Sequence, residues 1–164
     1  MSEAREGRVA IEDDGAEIEF ERVLGAPAAV VWEMVSTRQG IGRWMAPAHV
    51  DLRVGGSIMI DFGDEGGRTG GEIVELISER VIEYGWGFDG ATDSVVRFEL
   101  EPIDESTTLL RLRHRRLPRS QAAGYGAGWH AHLDQLEQAV AGADPIEWDS
   151  RFAEVYPTYE RHVV

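Results

Sequence analysis

The sequence predicts an α+β fold in which a curved antiparallel sheet of about six to seven strands wraps around one long C-terminal helix. Between residues 50 and 115, short runs of alternating apolar and polar residues are separated by turns rich in glycine or proline. This spacing favours an antiparallel meander over alternating strands and helices. From Trp129 to Ala141, apolar residues recur at helical spacing, and Gly142 follows as a C-cap. Because one helix cannot cover a wide curved sheet, we expect a cavity between them.

The first predicted element is a β-hairpin, whose turn ends an N-terminal segment of residues 1–15. Arg8–Ile11 is a short β-like run, and Asp13-Asp14-Gly15 supplies a tight turn because Asp-Gly tolerates positive φ. Ala16–Leu24 then alternates as a strand does. One face carries Ile18, Phe20 and Arg22, and the other carries Glu17, Glu19 and Glu21.

Two short helices are predicted after this strand. Pro27 stands where a first helical turn begins, a position that tolerates its missing N–H. The Val30–Val35 stretch is amphipathic and ends before Gly40. Ile41–Met45 forms a second short turn, which Pro47 closes.

Six further strands are predicted, at Val50–Val54, Ser57–Phe62, Gly71–Ile77, Val81–Phe88, Val95–Glu101 and Thr107–Arg115. Turn residues such as Gly55-Gly56 and Asp89-Gly90 separate most of them. Since alternate residues of a strand face opposite sides, the apolar set of each strand is expected to face inward. The arginines of the last strand, Arg111, Arg113 and Arg115, alternate with its inward set. We therefore expect them to pair with outward glutamates rather than to bind nucleic acid.

The inward sets and the long helix together predict the lining of a ligand cavity. Apolar walls with few polar atoms are typical of small-molecule sites, although the same side chains would also suit a filled core. The predicted lining residues are Trp44, Ile60, Phe62, Glu72, Val74, Tyr84, Trp86, Phe88, Val96, Phe98, Leu110, Leu112, His114, Tyr125, Trp129 and Leu133.

Two of these residues are the candidates for chemistry. His114 follows the inward Leu112 by two residues, so its imidazole could orient a ligand carbonyl or act as a general base. Glu72 shares the inward parity assigned to Val74, which would place a carboxylate in the cavity within reach of His114. The alternatives are a histidine satisfied by a neighbouring carbonyl or carboxylate, and a glutamate in water.

The long helix contains a histidine pair and a glycine-rich stretch that partly match a metal site and a phosphate-binding loop. His130 and His132 are two residues apart, so on a helix they diverge and cannot chelate one ion. Gly124, Gly126 and Gly128 lack the spacing and strand context of a phosphate-binding loop. We expect these glycines to form a flexible hinge that gates the cavity mouth. No metal site and no cofactor is predicted.

Residues 143–164 are predicted to be a C-terminal extension, helical and packed on a single domain that spans residues 1–142. Apolar and aromatic residues recur at near-helical spacing within Trp148–His162, although Pro157 disfavours a continuous helix there. The sequence contains no internal repeat and no long linker.

The composition excludes several classes of function. The chain has 30 acidic and 16 basic residues, a formal charge of −14, and neither lysine nor cysteine. Schiff-base lysines, P-loop lysines, disulfides and cysteine nucleophiles are therefore excluded. So acidic a surface is a poor partner for nucleic acid or an anionic membrane. With no apolar run of membrane-spanning length and no apolar leader, the chain is expected to be cytoplasmic.

Short motifs in a characteristic order cover nearly the whole chain. They are Phe20-Glu21-Arg22, Ala26-Pro27, Val31-Trp32, Trp44-Met45-Ala46-Pro47, Val54-Gly55-Gly56, Gly71-Glu72, Glu83-Tyr84-Gly85-Trp86-Gly87, Leu112 to Pro118, and Gly128-Trp129-His130. Together they resemble the SRPBCC (START-like, Bet v 1-like) superfamily, in the branch similar to the C-terminal domain of the activator of heat-shock protein 90 ATPase. The resemblance implies a helix-grip fold.

We expect this protein to bind a small hydrophobic or aromatic molecule in the cavity under its C-terminal helix. The resemblance implies a fold that hosts many functions, so two others stay open. One is a polyketide cyclase- or dehydratase-like enzyme, which would need His114 and Glu72 to converge. The other is a co-chaperone-like protein interaction module. A homodimer, formed through the Arg/Glu face of the sheet or through residues 148–162, also stays open.

Overall fold

The computed structural model describes residues 5–13, 15–88, 94–144 and 146–163, and it confirms the predicted α+β class. Within these residues the sheet has eight strands rather than six or seven. They are β1 (Arg8–Glu12), β2 (Gly15–Leu24), β3 (Ala48–Val50), β4 (Ser57–Asp61), β5 (Arg68–Ile77), β6 (Val81–Phe88), β7 (Ser94–Asp104) and β8 (Thr107–Pro118). The helices are α1 (Ala28–Ser36), α2 (Arg38–Trp44), α3 (Gly63–Gly66), α4 (Ala122–Ala141) and α5 (Trp148–His162).

The sheet is antiparallel throughout, in the order β1-β2-β8-β7-β6-β5-β4-β3. The predicted N-terminal hairpin is present, with Arg8 opposite Glu19 and Glu12 opposite Gly15. In its turn Asp13 has a φ of 51°, while Asp14 lies outside the described residues. The predicted Asp89-Gly90 turn also lies outside them.

The alternation predicted for β6, β7 and β8 is confirmed by burial. Each inward residue is at most 4% exposed, namely Ile82, Tyr84, Trp86, Val96, Phe98, Leu100, Thr108, Leu110, Leu112 and His114. The outward arginines form ion pairs across the convex face, such as Arg113 with Glu17 at 2.5 Å and Arg97 with Glu75 at 2.7 Å. Such partly exposed pairs typically stabilise a fold by less than about 1 kcal/mol each.

The alternation predicted for β5 is wrong. Ile73 is fully buried, whereas Glu72 and Val74 are exposed. The cause is a β-bulge, since Ile73 pairs with Tyr84 but Glu75 already pairs with Glu83. The extra residue inverts the side of the sheet that each later side chain faces, so a strict period of two fails across it.

Helices α1 and α2 are joined by a tight turn at Thr37. Thr37 caps α2, its hydroxyl accepting a hydrogen bond from the Gly40 N–H at 2.9 Å. Gly40 is required because a Cβ there would lie 1.9 Å from the Glu33 carbonyl oxygen. At the other end of α2, the Trp44 indole donates to the Met34 carbonyl at 2.8 Å. These contacts fix α2 against α1.

The long helix α4 begins at Ala122 and runs through the glycines that were expected to form a hinge. The reason lies in α5, which packs along it. A Cβ on Gly126 would lie 2.6 Å from the Tyr159 ring, so this glycine lets the two helices approach closely. Gly142 ends α4 in the left-handed conformation with φ 71°, as predicted. None of the helices in the described part of the chain is long and apolar enough to cross a membrane.

Helix α5 is continuous through Pro157. Proline cannot donate to the carbonyl of residue 153, but both positions lie on the exposed side of the helix, where water can satisfy that carbonyl. The opposite side of α5 buries Val155 and Tyr159 against the core.

Candidate functional site

A cavity of about 750 Å³ opens between the N-terminal half of α4, the start of α5 and the β4–β5 connection. This volume lies within the range of about 300–1,000 Å³ that is usual for small-molecule sites. Its aromatic walls are Phe62, Trp86, Tyr125, Trp129, Trp148 and Tyr156. We refer to it below as the α4–α5 cavity.

Most of the predicted lining residues fall into two groups. Phe62, Trp86, Tyr125 and Trp129 line the α4–α5 cavity. The other inward residues fill the core, each at most 3% exposed, namely Trp44, Ile60, Tyr84, Val96, Phe98, Leu110, Leu112, His114 and Leu133. The side chain of Phe88 lies outside the described residues. The buried residues of the second group therefore fill the core at the centre of the sheet, and the α4–α5 cavity lies outside it.

His114 lies behind the cavity wall, in a buried chain of hydrogen bonds. The Trp129 indole donates to His114 Nδ1 at 2.9 Å, and His114 Nε2 contacts the Ser94 hydroxyl at 2.8 Å. The Ser94 hydroxyl in turn donates to the Trp86 carbonyl oxygen. Because Nδ1 accepts, the neutral imidazole must carry its proton on Nε2 and donate it to Ser94. All the donors therefore run in one direction, from Trp129 to the backbone of Trp86.

This arrangement gives His114 a positioning role. Burial lowers its pKa to about 3, so the ring is neutral near pH 7. Both ring nitrogens are occupied, and no face of the residue is exposed. Instead these hydrogen bonds fix the Trp129 indole and end on the backbone carbonyl of Trp86, and the two indole rings lie 4.9 Å apart in the cavity wall.

The predicted convergence of His114 and Glu72 does not occur. His114 is fully buried inside the sheet, whereas Glu72, which precedes the bulge in β5, is exposed. The inward orientation predicted for Glu72 and Val74 is therefore wrong, and a catalytic pair of His114 with Glu72 is not available.

His132 is one of several lining residues that were not predicted from the sequence, together with Trp148 and Tyr156. It lines the α4–α5 cavity, and its ring centroid lies 5.4 Å from that of Trp148 and 5.7 Å from that of Phe62. This desolvation lowers its pKa to about 4. The aromatic neighbours come from distant parts of the chain, so spacing within α4 could not have indicated them.

His130 faces away from His132 into a buried ionic cluster. Its Nδ1 lies 2.8 Å from the Tyr159 hydroxyl, which also accepts from the Gly7 N–H. Beside it, Asp134 accepts from Arg22 at 2.8 Å and from Arg151 at 2.7 Å. Arg22 is only 3% exposed, in keeping with the inward face predicted for it. This cluster joins β2, α4 and α5 on the side of α4 away from the cavity.

Charged groups in the cavity lining are acidic. Glu65 and Asp149 contribute carboxylates, and the described lining contains no arginine. Within the part of the chain that the structure describes, no group of three or more histidine, aspartate or glutamate side chains is placed to hold a metal ion. The lining is therefore suited to uncharged or cationic molecules rather than to anions.

Comparisons with known proteins agree with this architecture. The chain is similar to CalU16 from Micromonospora echinospora, with 25% identity over 96% of this chain and 94% of that one and a TM-score of 0.76. It is similar to the BPP1335 protein of Bordetella parapertussis, with 25% identity, 95% and 90% coverage and a TM-score of 0.71. It is also similar to PFC0360w, an HSP90 activator from Plasmodium falciparum, with 25% identity, 63% and 74% coverage and a TM-score of 0.55. No curated protein matches the chain.

A family model shows which protein family the chain belongs to. The model described as "Activator of Hsp90 ATPase homolog 1-like protein" matches residues 25–141, from the entry to α1 to the end of α4. This span is most of the chain and includes thirteen of the sixteen residues that line the α4–α5 cavity. The chain therefore belongs to the Activator of Hsp90 ATPase homolog 1-like protein family.

Proposed function

We propose that this protein binds a small hydrophobic or aromatic molecule in the α4–α5 cavity. The observation that carries the proposal is an open space of about 750 Å³ whose walls include six aromatic side chains. Large aromatic side chains pack flat molecules well and contribute beyond the area they bury.

The rigidity of the walls supports the proposal further. The Trp129 indole donates to His114 at 2.9 Å, and the Trp148 indole donates to the Gly128 carbonyl at 3.2 Å. Side chains that are fixed before binding lose little conformational entropy when a ligand arrives. Two of the aromatic side chains in the lining are therefore pre-organised.

Titration with pyrene, an uncharged fluorescent polycyclic molecule, tests the proposal. A Cβ on Gly124 would meet no atom within 4 Å, and Gly124 lines the cavity, so the side chain of Gly124→Leu should obstruct part of the space without disturbing the core. Gly124→Ala is the matched control, since it leaves most of the space open. We expect one site in the wild-type protein, about tenfold weaker binding or none in Gly124→Leu, and nearly unchanged binding in Gly124→Ala.

Native mass spectrometry of the purified protein gives the chemical class of a natural ligand. A small molecule that copurifies with the wild-type protein and is absent from Gly124→Leu would support binding in this cavity. Failure of the folded wild-type protein to bind pyrene would refute the proposal.

A protein interaction role is the second candidate, because the family description and the similarity to PFC0360w both point to HSP90 activators. The two roles separate in one experiment. Chaperone capture that is equal in wild type and Gly124→Leu, together with a cavity that binds no probe, would favour the interaction role. Self-association through the convex face or α5 stays a prediction. Measurement of the molecular mass of the protein in solution would test it.

A further inference from the structure

The hydrogen bonds of His132 fix which of its ring nitrogens carries the proton. Gln135 Nε2 donates to the Ile146 carbonyl at 3.3 Å, so the amide oxygen of Gln135 is the atom that faces His132. This oxygen lies 3.1 Å from His132 Nδ1. Since the oxygen can only accept, Nδ1 is the donor and the neutral ring leaves Nε2 as a bare acceptor.

His132 Nε2 has no hydrogen-bond partner among the described residues, and its residue lines the α4–α5 cavity. Burial by the surrounding aromatic rings keeps the imidazole neutral, with its pKa at about 4. Since His132 is half-buried in an open cavity, the O–H of a ligand can replace solvent at this acceptor. Polar atoms of this kind usually set ligand orientation in small-molecule sites.

The surroundings of His132 limit the ligand further. Trp148, Phe62 and Trp129 have ring centroids 5.4 to 5.9 Å from its own, which favours a flat aromatic molecule beside it. The acidic side chains Glu65 and Asp149 of the lining disfavour a carboxylate or sulfonate.

From these contacts we infer that the cavity selects an uncharged aromatic ligand bearing a hydroxyl group, whose O–H donates a hydrogen bond to His132 Nε2. The inference rests on the proposed function, because it specifies the class of molecule that the same cavity would take. The ligand supplies the hydrogen-bond donor and His132 supplies the acceptor. Binding therefore changes no covalent bond.

Three matched probes test this inference: naphthol, its methyl ether and naphthoate. The ether keeps the ring system and removes only the donor, while naphthoate adds a negative charge. In the wild-type protein we expect naphthol to bind about fivefold to tenfold more tightly than the ether, as one hydrogen bond typically gives. Naphthoate should bind most weakly.

Two variants test whether His132 causes the expected preference for naphthol over its methyl ether. His132→Phe keeps an aromatic ring but removes the acceptor, so naphthol and the ether should bind it equally. His49→Phe makes the same exchange at an exposed position on β3 and should keep the wild-type preference. If His132→Phe does not fold, the ¹⁵N resonance of His132 Nε2 in the wild-type protein gives the answer, because naphthol should shift it and the ether should not.

The outcomes separate the two proposals. Equal binding of naphthol and its ether to the wild-type protein would overturn the inference while ligand binding stands. A naphthol preference that survives in His132→Phe would also overturn it. Absence of binding by every probe would overturn the proposed function itself.

Discussion

The indole nitrogen of Trp129 donates to Nδ1 of His114 at 2.9 Å, and this bond joins the core of the sheet to the wall of the α4–α5 cavity. It is the first of three hydrogen bonds, which continue from His114 to Ser94 and from Ser94 to the backbone carbonyl of Trp86. His114, which the sequence suggested for catalysis, thus acts by holding the Trp129 indole in place.

Replacing His114 should therefore weaken both the fold and the cavity. His114→Ala leaves the buried Trp129 N–H without a partner and creates a void, so we expect the free energy of unfolding to fall by about 2–4 kcal/mol. Urea denaturation measures this change. His49→Ala, on the exposed side of β3, is the control and should change stability by less than about 0.5 kcal/mol.

Stability should fall steeply on acidification below about pH 6.5. Burial lowers the pKa of His114 to about 3 and that of His130 to about 4, so the unfolded chain binds protons there before the folded protein does. Each such histidine contributes a slope of up to about 1.4 kcal/mol per pH unit, and its contribution is lost as the pH falls toward its folded pKa.

Urea denaturation between pH 7 and pH 5 measures this slope, and His114→Gln is the variant to compare. Its stability should depend less steeply on pH than that of the wild-type protein. A slope in His114→Gln equal to that of the wild type would show that His114 does not remain neutral in the folded state.

The two glycines at the start of α4 should respond oppositely to alanine. Gly126→Ala places a Cβ 2.6 Å from the Tyr159 ring, so we expect a loss of about 1–3 kcal/mol. Gly124→Ala meets nothing within 4 Å and improves helix propensity, so it should stabilise by about 0.5–1 kcal/mol. Thermal unfolding compares them, and equal effects would contradict the close packing of α5 on α4.

Asp134 should be among the most sensitive charged positions. It pairs with Arg22 and Arg151, and the guanidinium groups, together with other contacts, hold its pKa below the usual value despite its burial. Asp134→Ala leaves Arg22 buried without this partner, so we expect a loss of about 3–5 kcal/mol. Glu154→Ala removes an exposed partner of Arg151 and should cost less than about 1 kcal/mol. A small effect of Asp134→Ala in urea denaturation would argue against this role.

Much of the fold could be predicted from local patterns. The strict alternation in β7 and β8 gave the inward residues, including Phe98 and Leu112, because both strands are regular where they cross the core. In β5 the same reasoning failed for Glu72, since nothing in the local pattern indicates the bulge after Ile73.

The candidate site was harder to predict because distant elements build it. The glycines of α4 looked like a hinge until α5 was seen to pack against Gly126. His132 was considered only as a metal ligand beside His130, whereas its neighbours Phe62 and Trp148 lie far away in sequence. Periodicity identifies the buried face of an element, but it does not identify which other elements meet there.

The binding of pyrene to the wild-type protein and to Gly124→Leu tests most directly whether the α4–α5 cavity is a ligand site. We expect one saturable site in the wild-type protein and its loss in Gly124→Leu, with Gly124→Ala close to the wild type. Equal binding by the wild-type and Gly124→Leu proteins, or no binding by the folded wild-type protein, would contradict it.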